Sequence, residues 1–336
     1  MGIPFIRPAR RDDFDAIYAL ARQSGGGMTN LPADEKALRA RIEISCKSFE
    51  KNAQDPGGEI YMLVLESDGR VMGTAAVFSA IGLDSGFVNY KINRTFHASK
   101  QLNKRIARRL LVPTHDFTGC AEVGSLFLSP DARGGGFGKL LARSRYLFIA
   151  QNRKMIADHV CAELRGWRAP DGSQPFWDAV GKRFFDMDFE EADVHNAANG
   201  NQFIADLMPR YPIYVVLLPE AARECLGKPH DTAIPAYKML LSEGFEFDDY
   251  IDIFDAGPLV DVKVDNIKTV KKSRVLTAKI GAGPFGETML MAAGERAAFR
   301  AVRDKAIITG ETVEMSANAA AALNVAEGAS IRCVAA

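Results

Sequence analysis

A glycine-rich loop carries the clearest chemical signal in the sequence. The stretch "LSPDARGGGFGKLLARSR", residues 128–145, contains the pattern Arg-x-x-Gly-x-Gly at Arg133, Gly136 and Gly138, where an apolar run gives way to a helix-forming one. The first backbone N–H groups of a helix have no partner within the helix, and the helix dipole is positive at that end. We therefore predict that this loop binds phosphate.

The glycine spacing argues against two common nucleotide-binding loops. A P-loop requires Gly-Lys followed by serine or threonine, but Lys139 is followed by Leu140. In the dinucleotide fingerprint, counted from Gly134 and Gly136, the third glycine would fall on Lys139. The phosphate must then belong to another kind of ligand.

Two histidines are candidates for acid–base chemistry, which needs a side chain that gains and loses protons near neutral pH. His230, in "KPHDTAIPA", lies in a polar segment just before a predicted helix, where it either faces a crevice or caps the helix. His97, in "FHASK", is better suited to shaping a substrate pocket or holding a loop. Because the histidines show no HxxxH or HExxH spacing, we predict no metal site.

The composition is that of a globular protein without a strong overall charge. The chain has 336 residues, of which 47% are hydrophobic, enough for a large core and about two domains. Lys+Arg and Asp+Glu both number 42, so no net field favours nucleic acid or an anionic membrane. The five cysteines form no CxxC pair, and no long apolar run or signal-peptide core is visible, so we expect a cytoplasmic protein with reduced thiols.

The order of predicted elements indicates a mixed α/β fold. A strand and two helices precede a hairpin, and then a strand, the glycine loop, a helix and a buried strand follow. We expect Asp12 or Asp13 to cap the first helix and Asp34 to cap the second. Residues 84–118 look less regular, and residues 171–227 are typical of a largely helical insertion. This layout places an active crevice at the loop.

A change in the residue pattern near residue 258 predicts that a second module begins there. Residues 259–336 consist of short β-like runs interrupted by one small-residue helix, a pattern typical of a small all-β barrel. The module contains no histidine and only Cys333 among its thiols. We therefore expect it to serve packing or interaction and to contribute no catalytic atom, while residues 1–258 form the main domain.

Several longer blocks resemble one enzyme family. "GKRFFDMDF", "HDTAIPA" and "EGFEFDDYIDIFDAGP", together with the glycine loop, are similar to blocks of the arginine N-succinyltransferase family, within the GNAT superfamily of acyltransferases. The resemblance covers roughly residues 3–275 and fades in the C-terminal module. It implies a GNAT-like fold and the transfer of a succinyl group from succinyl-coenzyme A to the α-amine of L-arginine, a step of arginine catabolism.

The resemblance also implies roles for individual residues. His230 matches the family's proton donor, and Leu126, in "GSLFL", would present its backbone N–H to the thioester oxygen. The residues that would wrap the pyrophosphate of coenzyme A are Arg133, Gly134, Gly135, Gly136 and Gly138.

The charged ends of the substrates require charged partners, because an unpaired buried charge is costly. Lys182 and Arg183 are candidates for the succinyl carboxylate, with a solvated helix face as the alternative, and His97 is a weak substrate-binding candidate. The guanidinium of arginine needs a carboxylate. The residues that fit by position are Glu122, Glu163, Asp188 and Asp252, among which the sequence does not choose. The glycines of "SGGGMTN", residues 24–30, fit either a substrate lid or a plain turn.

Substrate choice and assembly stay open at this point. Ala256 stands where the family has the first of two glycines before a proline, and residues 105–113 are unusually basic. The alternatives are a GNAT enzyme that acts on ornithine or another amine, and a coenzyme-A-binding subunit without catalysis. The chain could work as a homo-oligomer or with a paralogous subunit.

Overall fold

The computed structural model describes residues 2–25, 28–192, 195 and 202–336. In chain order its strands are β1 (Phe5–Pro8), β2 (Ile60–Ser67), β3 (Arg70–Phe78), β4 (Asn89–Ser99), β5 (Lys104–Thr114), β6 (Ala121–Leu128), β7 (His159–Glu163), β8 (Ile213–Tyr214), β9 (Glu246–Ile251), β10 (Pro258–Lys263), β11 (Arg274–Gly281), β12 (Glu287–Ala293), β13 (Arg300–Thr309), β14 (Thr312–Ser316) and β15 (Ser330–Ala335). The α-helices are α1 (Phe14–Gln23), α2 (Glu35–Glu50), α3 (Phe137–Gln151), α4 (Pro175–Ala179), α5 (Gly181–Phe185), α6 (Gln202–Leu207), α7 (Glu220–Glu224), α8 (Ile234–Glu243), α9 (Lys268–Lys272) and α10 (Ala317–Leu323).

The chain divides into two compact units, each assembled from separate segments. The first unit comprises residues 1–80, 121–160 and 263–336, and the second comprises residues 81–120 and 161–262. No helix among the described residues is long and apolar enough to cross a membrane. The predicted division near residue 258 separates the C-terminal module from the rest of the chain, and it stays a prediction.

The sheet of the first unit joins the N-terminal strands to the C-terminal module. Strand β1 pairs antiparallel with β2 on one side and with β13 on the other, with Phe5 opposite Val302. The sheet continues through β3 to β6, the strand that leads into the glycine loop. The mixed α/β character predicted from the sequence is confirmed.

An aromatic cluster fixes α3 in the core of the first unit. The ring of Phe148, in α3, lies 5.7 Å from Phe49 of α2, 5.0 Å from Tyr61 of β2 and 5.2 Å from Phe299. All four side chains are buried. Because buried aromatic rings remove large apolar areas from water, this cluster holds α3, and hence the loop at its N-terminus, on the sheet.

Strands β11–β15 form a closed barrel, since β12 pairs with both β13 and β15. Strand β11 pairs with β14 and β15, and β13 with β14, which completes the ring. The buried side chains of this module include Leu276, Met289, Met291, Val302, Val313, Met315 and Ile331. The small β barrel predicted for the C-terminal module is confirmed.

In the second unit, strands β10, β9, β4, β5 and β8 are successive neighbours in the sheet. Its apolar core centres on Trp177, whose ring stacks on Phe185 and on Phe254 at 5.4 and 5.5 Å between centroids. The short helices α4–α7 lie in the segment 171–227, for which the sequence predicts a largely helical insertion.

The expectation that residues 84–118 are irregular is wrong. They contain the long hairpin β4–β5, which pairs continuously from Asn89 opposite Thr114 to Ser99 opposite Lys104. Only the half of the hairpin near its base is buried, while Phe96 in the outer half is 77% exposed. A strand exposed on both faces lacks the alternation of apolar and polar residues that identifies strands in a sequence.

A buried ion pair replaces the helix cap predicted at the start of α1. Asp34 caps α2 as predicted, since its Oδ1 accepts from the Ala37 N–H at 2.8 Å. Asp13 instead accepts from Arg7 Nη1 and Nη2 at 2.7 and 2.8 Å, and Arg7 Nε lies 2.5 Å from Glu66 Oε2. Burial opposes ionisation of Asp13, but the bonds from Arg7 and from the Arg10 N–H, together with the charges of both arginines, outweigh it, and the pKa of Asp13 is lowered.

Removal of this buried cation should destabilise the protein strongly. We expect Arg7→Met to lower the free energy of unfolding by about 3–5 kcal/mol, because Asp13 and Glu66 lose their shared partner in a site closed to water. Arg11→Met is the matched control: Arg11 also makes two bonds to one carboxylate, that of Glu43, but the pair is exposed and screened by solvent, so the loss should be much smaller than for Arg7→Met. Urea unfolding compares the two variants, and equal losses would contradict the prediction.

Candidate active site

The glycine loop lies between β6 and α3 and opens to solvent. Gly134 and Gly136 have φ values of 102° and 79°, in the left-handed region that favours glycine. Arg133, Gly134 and Gly135 are exposed. Gly136 is the N-cap of α3 and offers no capping side chain, and the first turn of α3 contains no acidic residue. Uncapped N–H groups at the positive end of a helix suit an anionic ligand.

A bulge interrupts β6 just before the loop. The register between β3 and β6 shifts between Thr74 and Ala76, so that Ser125 and Leu126 both stand opposite a single residue of β3. Ser125 has a φ of 51°, which is rare for a residue with a side chain. The bulge takes Leu126, the residue predicted to present its backbone N–H, out of the regular ladder with β3.

Asn30 holds the bulge in place. Its Oδ1 accepts from the Ser125 N–H at 3.0 Å, its carbonyl oxygen accepts from Ser125 Oγ at 2.5 Å, and its Nδ2 donates to Glu122 Oε1 at 3.1 Å. Asn30 is the last residue of "SGGGMTN"; Gly26 and Gly27 of that segment lie outside the described residues. Strain at Ser125 is thus offset by hydrogen bonds from a residue distant in the sequence.

A buried group of charges lies around Glu122. Burial raises the pKa of the Glu122 carboxyl, while the hydrogen bond from Asn30 and the positive charge of Arg41 oppose that rise. Burial lowers the pKa of the guanidinium groups of Arg41 and Arg145, and the charge of Glu122 acts against both shifts. Asn30 and the two arginines therefore oppose the effect of burial on Glu122, but burial is the largest cause and its pKa stays raised.

His230 begins a short helical turn in the second unit and is half-buried. Its backbone N–H donates to the Arg165 carbonyl at 2.8 Å, and its Nδ1 lies 2.8 Å from Thr232 Oγ1 and 3.2 Å from the Thr232 N–H. With Nδ1 engaged in this way, Nε2 is the ring atom left for a substrate. Burial and the positive charges of Arg165 and Arg168 lower the pKa of His230, so the neutral ring dominates near pH 7.

Two buried carboxyl groups support the segment that carries His230. Asp255 accepts from the Gly166 N–H through Oδ2 at 2.7 Å and from the Gly257 N–H through Oδ1 at 2.8 Å. Asp252 Oδ1 accepts from the N–H groups of Phe254 and Asp255 at 2.7 and 2.9 Å. Burial, followed by the negative charge of Asp255, raises the pKa of Asp252 to about 8. The pair therefore holds a proton at neutral pH.

The same turn explains one departure from the family pattern. Ala256 has a φ of 56°, in the left-handed region, and is fully buried. The family glycine would take this conformation freely, whereas alanine costs about 1–2 kcal/mol there. The Ala256 carbonyl accepts from the Gly227 N–H at 2.9 Å. The turn and the His230 segment are therefore joined through the backbone.

The structure places the weaker candidates at the surface of the second unit. His97 is exposed on β4, with its ring 6.3 Å from that of Tyr214. Lys182 and Arg183 are exposed on α5, and Lys182 Nζ lies 2.5 Å from Asp188 Oδ1. Glu163 Oε1 accepts from Asn89 Nδ2 at 2.9 Å. The described residues contain no group of three His, Cys, Asp or Glu side chains that could hold a metal ion.

The residues predicted for the site are distributed over both units. The bulge, the loop and the start of α3 are consecutive in the first unit, and His230 belongs to the second. The sequence analysis missed Asn30, Ser125 and Thr232 as residues that shape these parts. Thr232 was detectable, since it follows His230 by two residues in the same block, but nothing local in the sequence connects Asn30 with Ser125.

Comparisons with known proteins identify relatives over the whole chain. The family models described as arginine N-succinyltransferase beta subunit and as the C-terminal domain of that subunit match residues 4–269 and 272–335. Arginine N-succinyltransferase subunit beta of Pseudomonas aeruginosa is 38% identical over 98% of this chain and 97% of its own length. Arginine N-succinyltransferase of Escherichia coli is 40% identical over 84% of this chain and 82% of its own length. The second family model, that of the C-terminal domain, matches residues beyond the sequence blocks on which the resemblance was based.

A solved structure shares the fold. Arginine/ornithine succinyltransferase subunit AI from Pseudomonas aeruginosa superposes with a TM-score of 0.91 at 36% identity and covers 100% of this chain and 99% of that one. The predicted fold class, a mixed α/β acyltransferase fold with a small C-terminal β module, is confirmed.

The contact between Asn30 and β6 predicts a non-additive pair of substitutions. A Cβ on Gly124 would lie 2.2 Å from Asn30 Nδ2, so Gly124→Ala displaces the same side chain that Asn30→Ala removes. We expect each variant to lower the free energy of unfolding by about 1–3 kcal/mol, and the double variant to lose about as much as either single one. Gly58→Ala, at an open position, is the control and should add independently to Asn30→Ala. Additive losses for Gly124→Ala and Asn30→Ala in urea unfolding would overturn this account of the bulge.

Proposed function

The chain belongs to the arginine N-succinyltransferase family, and from this premise we propose that it transfers the succinyl group of succinyl-coenzyme A to the α-amine of L-arginine. The products are N2-succinylarginine and free coenzyme A. The observation that carries the proposal is the sequence of bulge, glycine loop and uncapped helix along β6 and α3. It offers a backbone N–H to a thioester and a positive helix end to a phosphate, the two parts of an acyl-coenzyme A.

In this proposal the glycine loop binds the pyrophosphate of the acyl-coenzyme A. The residues assigned to it are Arg133, Gly134, Gly135, Gly136 and Gly138. The left-handed conformations of the loop and the absence of an acidic residue from the first turn of α3 support the assignment. A phosphate there would accept hydrogen bonds from backbone N–H groups that no side chain caps.

We assign the thioester oxygen to the backbone N–H of Leu126. Attack by the amine turns the carbonyl oxygen into an oxyanion, which needs a hydrogen-bond donor fixed in advance. The bulge supplies such a donor, because it removes Leu126 from the regular register with β3. Removing one comparable donor elsewhere costs about 2.7–4 kcal/mol of transition-state stabilisation.

His230 would move the proton. The neutral amine attacks the thioester carbon and forms the C–N bond, which leaves a proton on nitrogen that must be removed. Nε2 of the neutral imidazole accepts this proton and then donates it to the thiolate sulfur as the C–S bond breaks, so charge and protons balance. For Nε2 to accept the proton, Nδ1 must carry the ring hydrogen and donate to Thr232 Oγ1, 2.8 Å away, in place of the bond that Nδ1 accepts from the Thr232 N–H at 3.2 Å. The lowered pKa of His230 keeps the accepting form populated at neutral pH.

Substrate charges have weaker assignments. We propose Lys182 and Arg183 for the succinyl carboxylate and His97 for the substrate pocket; the contact of Lys182 with Asp188 is exposed and can exchange with a ligand. The guanidinium partner stays open among Glu122, Glu163, Asp188 and Asp252. The solved relative is described as an arginine/ornithine succinyltransferase, so ornithine belongs in the test.

The test is release of free thiol from succinyl-coenzyme A with arginine, ornithine and other amines. Release with arginine supports the proposal, preference for ornithine would change the substrate, and absence of release with every amine would favour a non-catalytic coenzyme-A-binding subunit. We also propose a cytoplasmic protein, because all five cysteines are free thiols. Its assembly into an oligomer, with itself or a paralogous subunit, is a further proposal, since the Pseudomonas relative is described as a subunit.

An acidic residue at Gly138 should separate coenzyme A binding from stability. A Cβ there meets only Leu128 at 3.9 Å, so a side chain fits. The carboxylate of Gly138→Asp would interact favourably with the helix dipole, yet it would occupy the place of the phosphate and repel it. We expect Gly138→Asp to weaken coenzyme A binding about 10-fold or more in calorimetry without loss of thermal stability, and the neutral Gly138→Asn to weaken it much less. Equal affinity of the two variants would contradict the assignment of the loop.

His230→Ala should lower kcat by about 10² to 10⁴ with little change in the Michaelis constant for succinyl-coenzyme A. In the wild type the base form of His230 is required, so kcat falls as pH drops through its pKa, and that limb should lie below the ordinary value of 6.5. Initial rates of thiol release across pH measure both effects, and His97→Ala, at the second candidate histidine, is measured alongside for comparison. If His230→Ala raises only the Michaelis constants, His230 positions the substrate and His97 becomes the better candidate.

A further inference from the structure

One side chain of the C-terminal barrel lies against the glycine loop. Arg303, on β13, belongs to the first unit together with the loop and α3. A Cβ on Gly136 would lie 3.1 Å from both Cζ and Nη1 of Arg303. The guanidinium therefore packs against the bare backbone of the N-cap residue, at a distance that an alanine would obstruct. Gly136 is constrained both by its φ of 79° and by this contact.

Arg303 has no partner in the part of the chain that the structure describes. It makes no hydrogen bond or ion pair there, and its Nε is buried without an acceptor. Neighbouring arginines of the module do have side-chain partners: Arg300 Nη1 donates to the Ala322 carbonyl and Arg332 Nη1 to Ser273 Oγ, both at 3.0 Å, although Arg332 Nε, like Arg303 Nε, is buried without an acceptor. A buried donor without an acceptor costs free energy, so such groups usually mark a ligand or a special role.

The electrostatic setting of Arg303 points to an anion. The N-terminus of α3 carries the positive end of the helix dipole, and no acidic residue lies in its first turn. Arg303 adds a full positive charge beside Gly136, and exposed Lys139 follows in the helix. Positive groups in such proximity repel one another unless a negative charge is placed among them.

We infer that Arg303 is a ligand of a phosphate group of the acyl-coenzyme A bound at the glycine loop. The inference rests on the proposed function. A guanidinium binds phosphate through two parallel N–H···O hydrogen bonds. Arg303 would therefore add two charged donors to the backbone N–H donors of the loop. The expectation that the C-terminal module serves packing or interaction alone then needs revision: the module contributes a binding group, though no catalytic atom. The phosphate belongs either to the pyrophosphate or to the 3′-phosphate of the adenosine.

The experiment measures binding of coenzyme A and of dephospho-coenzyme A, which lacks the 3′-phosphate, by calorimetry on the full chain. The variants are Arg303→Met, Arg303→Lys and the control Lys305→Met, at an exposed position two residues further along β13. We expect Arg303→Met to weaken coenzyme A binding about 10- to 100-fold and to reduce its salt dependence, Arg303→Lys to have an intermediate effect, and Lys305→Met to remain within about twofold of the wild type.

The second ligand identifies the phosphate. If Arg303→Met weakens both ligands equally, Arg303 binds the pyrophosphate; if it weakens only coenzyme A, Arg303 binds the 3′-phosphate. Affinity for both ligands within about twofold of that of Lys305→Met would overturn the inference. A structural role for Arg303 would instead appear as a lower melting temperature without ligand, and Arg303→Lys keeps the test valid should Arg303→Met fold poorly. If the wild type binds neither ligand, the proposed function fails, which is a distinct result.

Discussion

Three hydrogen bonds made by Asn30 hold the strand break on which the candidate site depends. Two of these bonds fix Ser125 in a left-handed conformation, so that β6 leaves its regular register with β3 at Ser125 and Leu126. An intact ladder would use the backbone of Leu126 within the sheet, and nothing would be presented to a ligand. The third bond, to Glu122, connects this local strain to a buried carboxyl group whose pKa burial raises and two arginine charges lower in part. The reactive part of the first unit is thus set by the packing of one loop against one strand.

The sequence was informative where the chemistry depends on neighbours in the chain. Arg133, Gly136 and Gly138 lie within six residues, so strand, loop and helix could be recognised from glycine spacing and the onset of a helix. Contacts between distant residues gave no such signal: Asn30 and Ser125 are separated by 95 positions. The hairpin β4–β5 was missed for another reason, since its outer half is exposed on both faces and lacks a periodic apolar pattern.

In the second unit His230 is positioned by a backbone hydrogen bond and, through the adjacent turn, by two buried carboxyl groups. Its N–H is bound by the Arg165 carbonyl, and the adjacent turn is held by Asp252 and Asp255, which keep a proton between them. Burial, and then the charges of Arg165 and Arg168, lower the pKa of His230 and so favour the neutral imidazole, which is the form that can accept a proton. A carboxylate hydrogen-bonded to the ring would have the opposite effect and keep it protonated. The same turn accommodates Ala256 in a backbone conformation that glycine adopts more readily.

The pairing of β1 with β13 has a consequence for how the protein is made. Residues Phe5 and Ile6 pair with the backbone of residues 302 and 301, so one edge of β1 stays unpaired until β13 has been synthesised. Domains commonly fold during their synthesis, while the ribosome adds about 5–20 residues per second. Here the first unit must wait for its last segment, and the unpaired edge of β1 is exposed to wrong partners during that interval. The time for which that edge stays unpaired is then a factor in the yield of active protein, in addition to the stability of the finished fold.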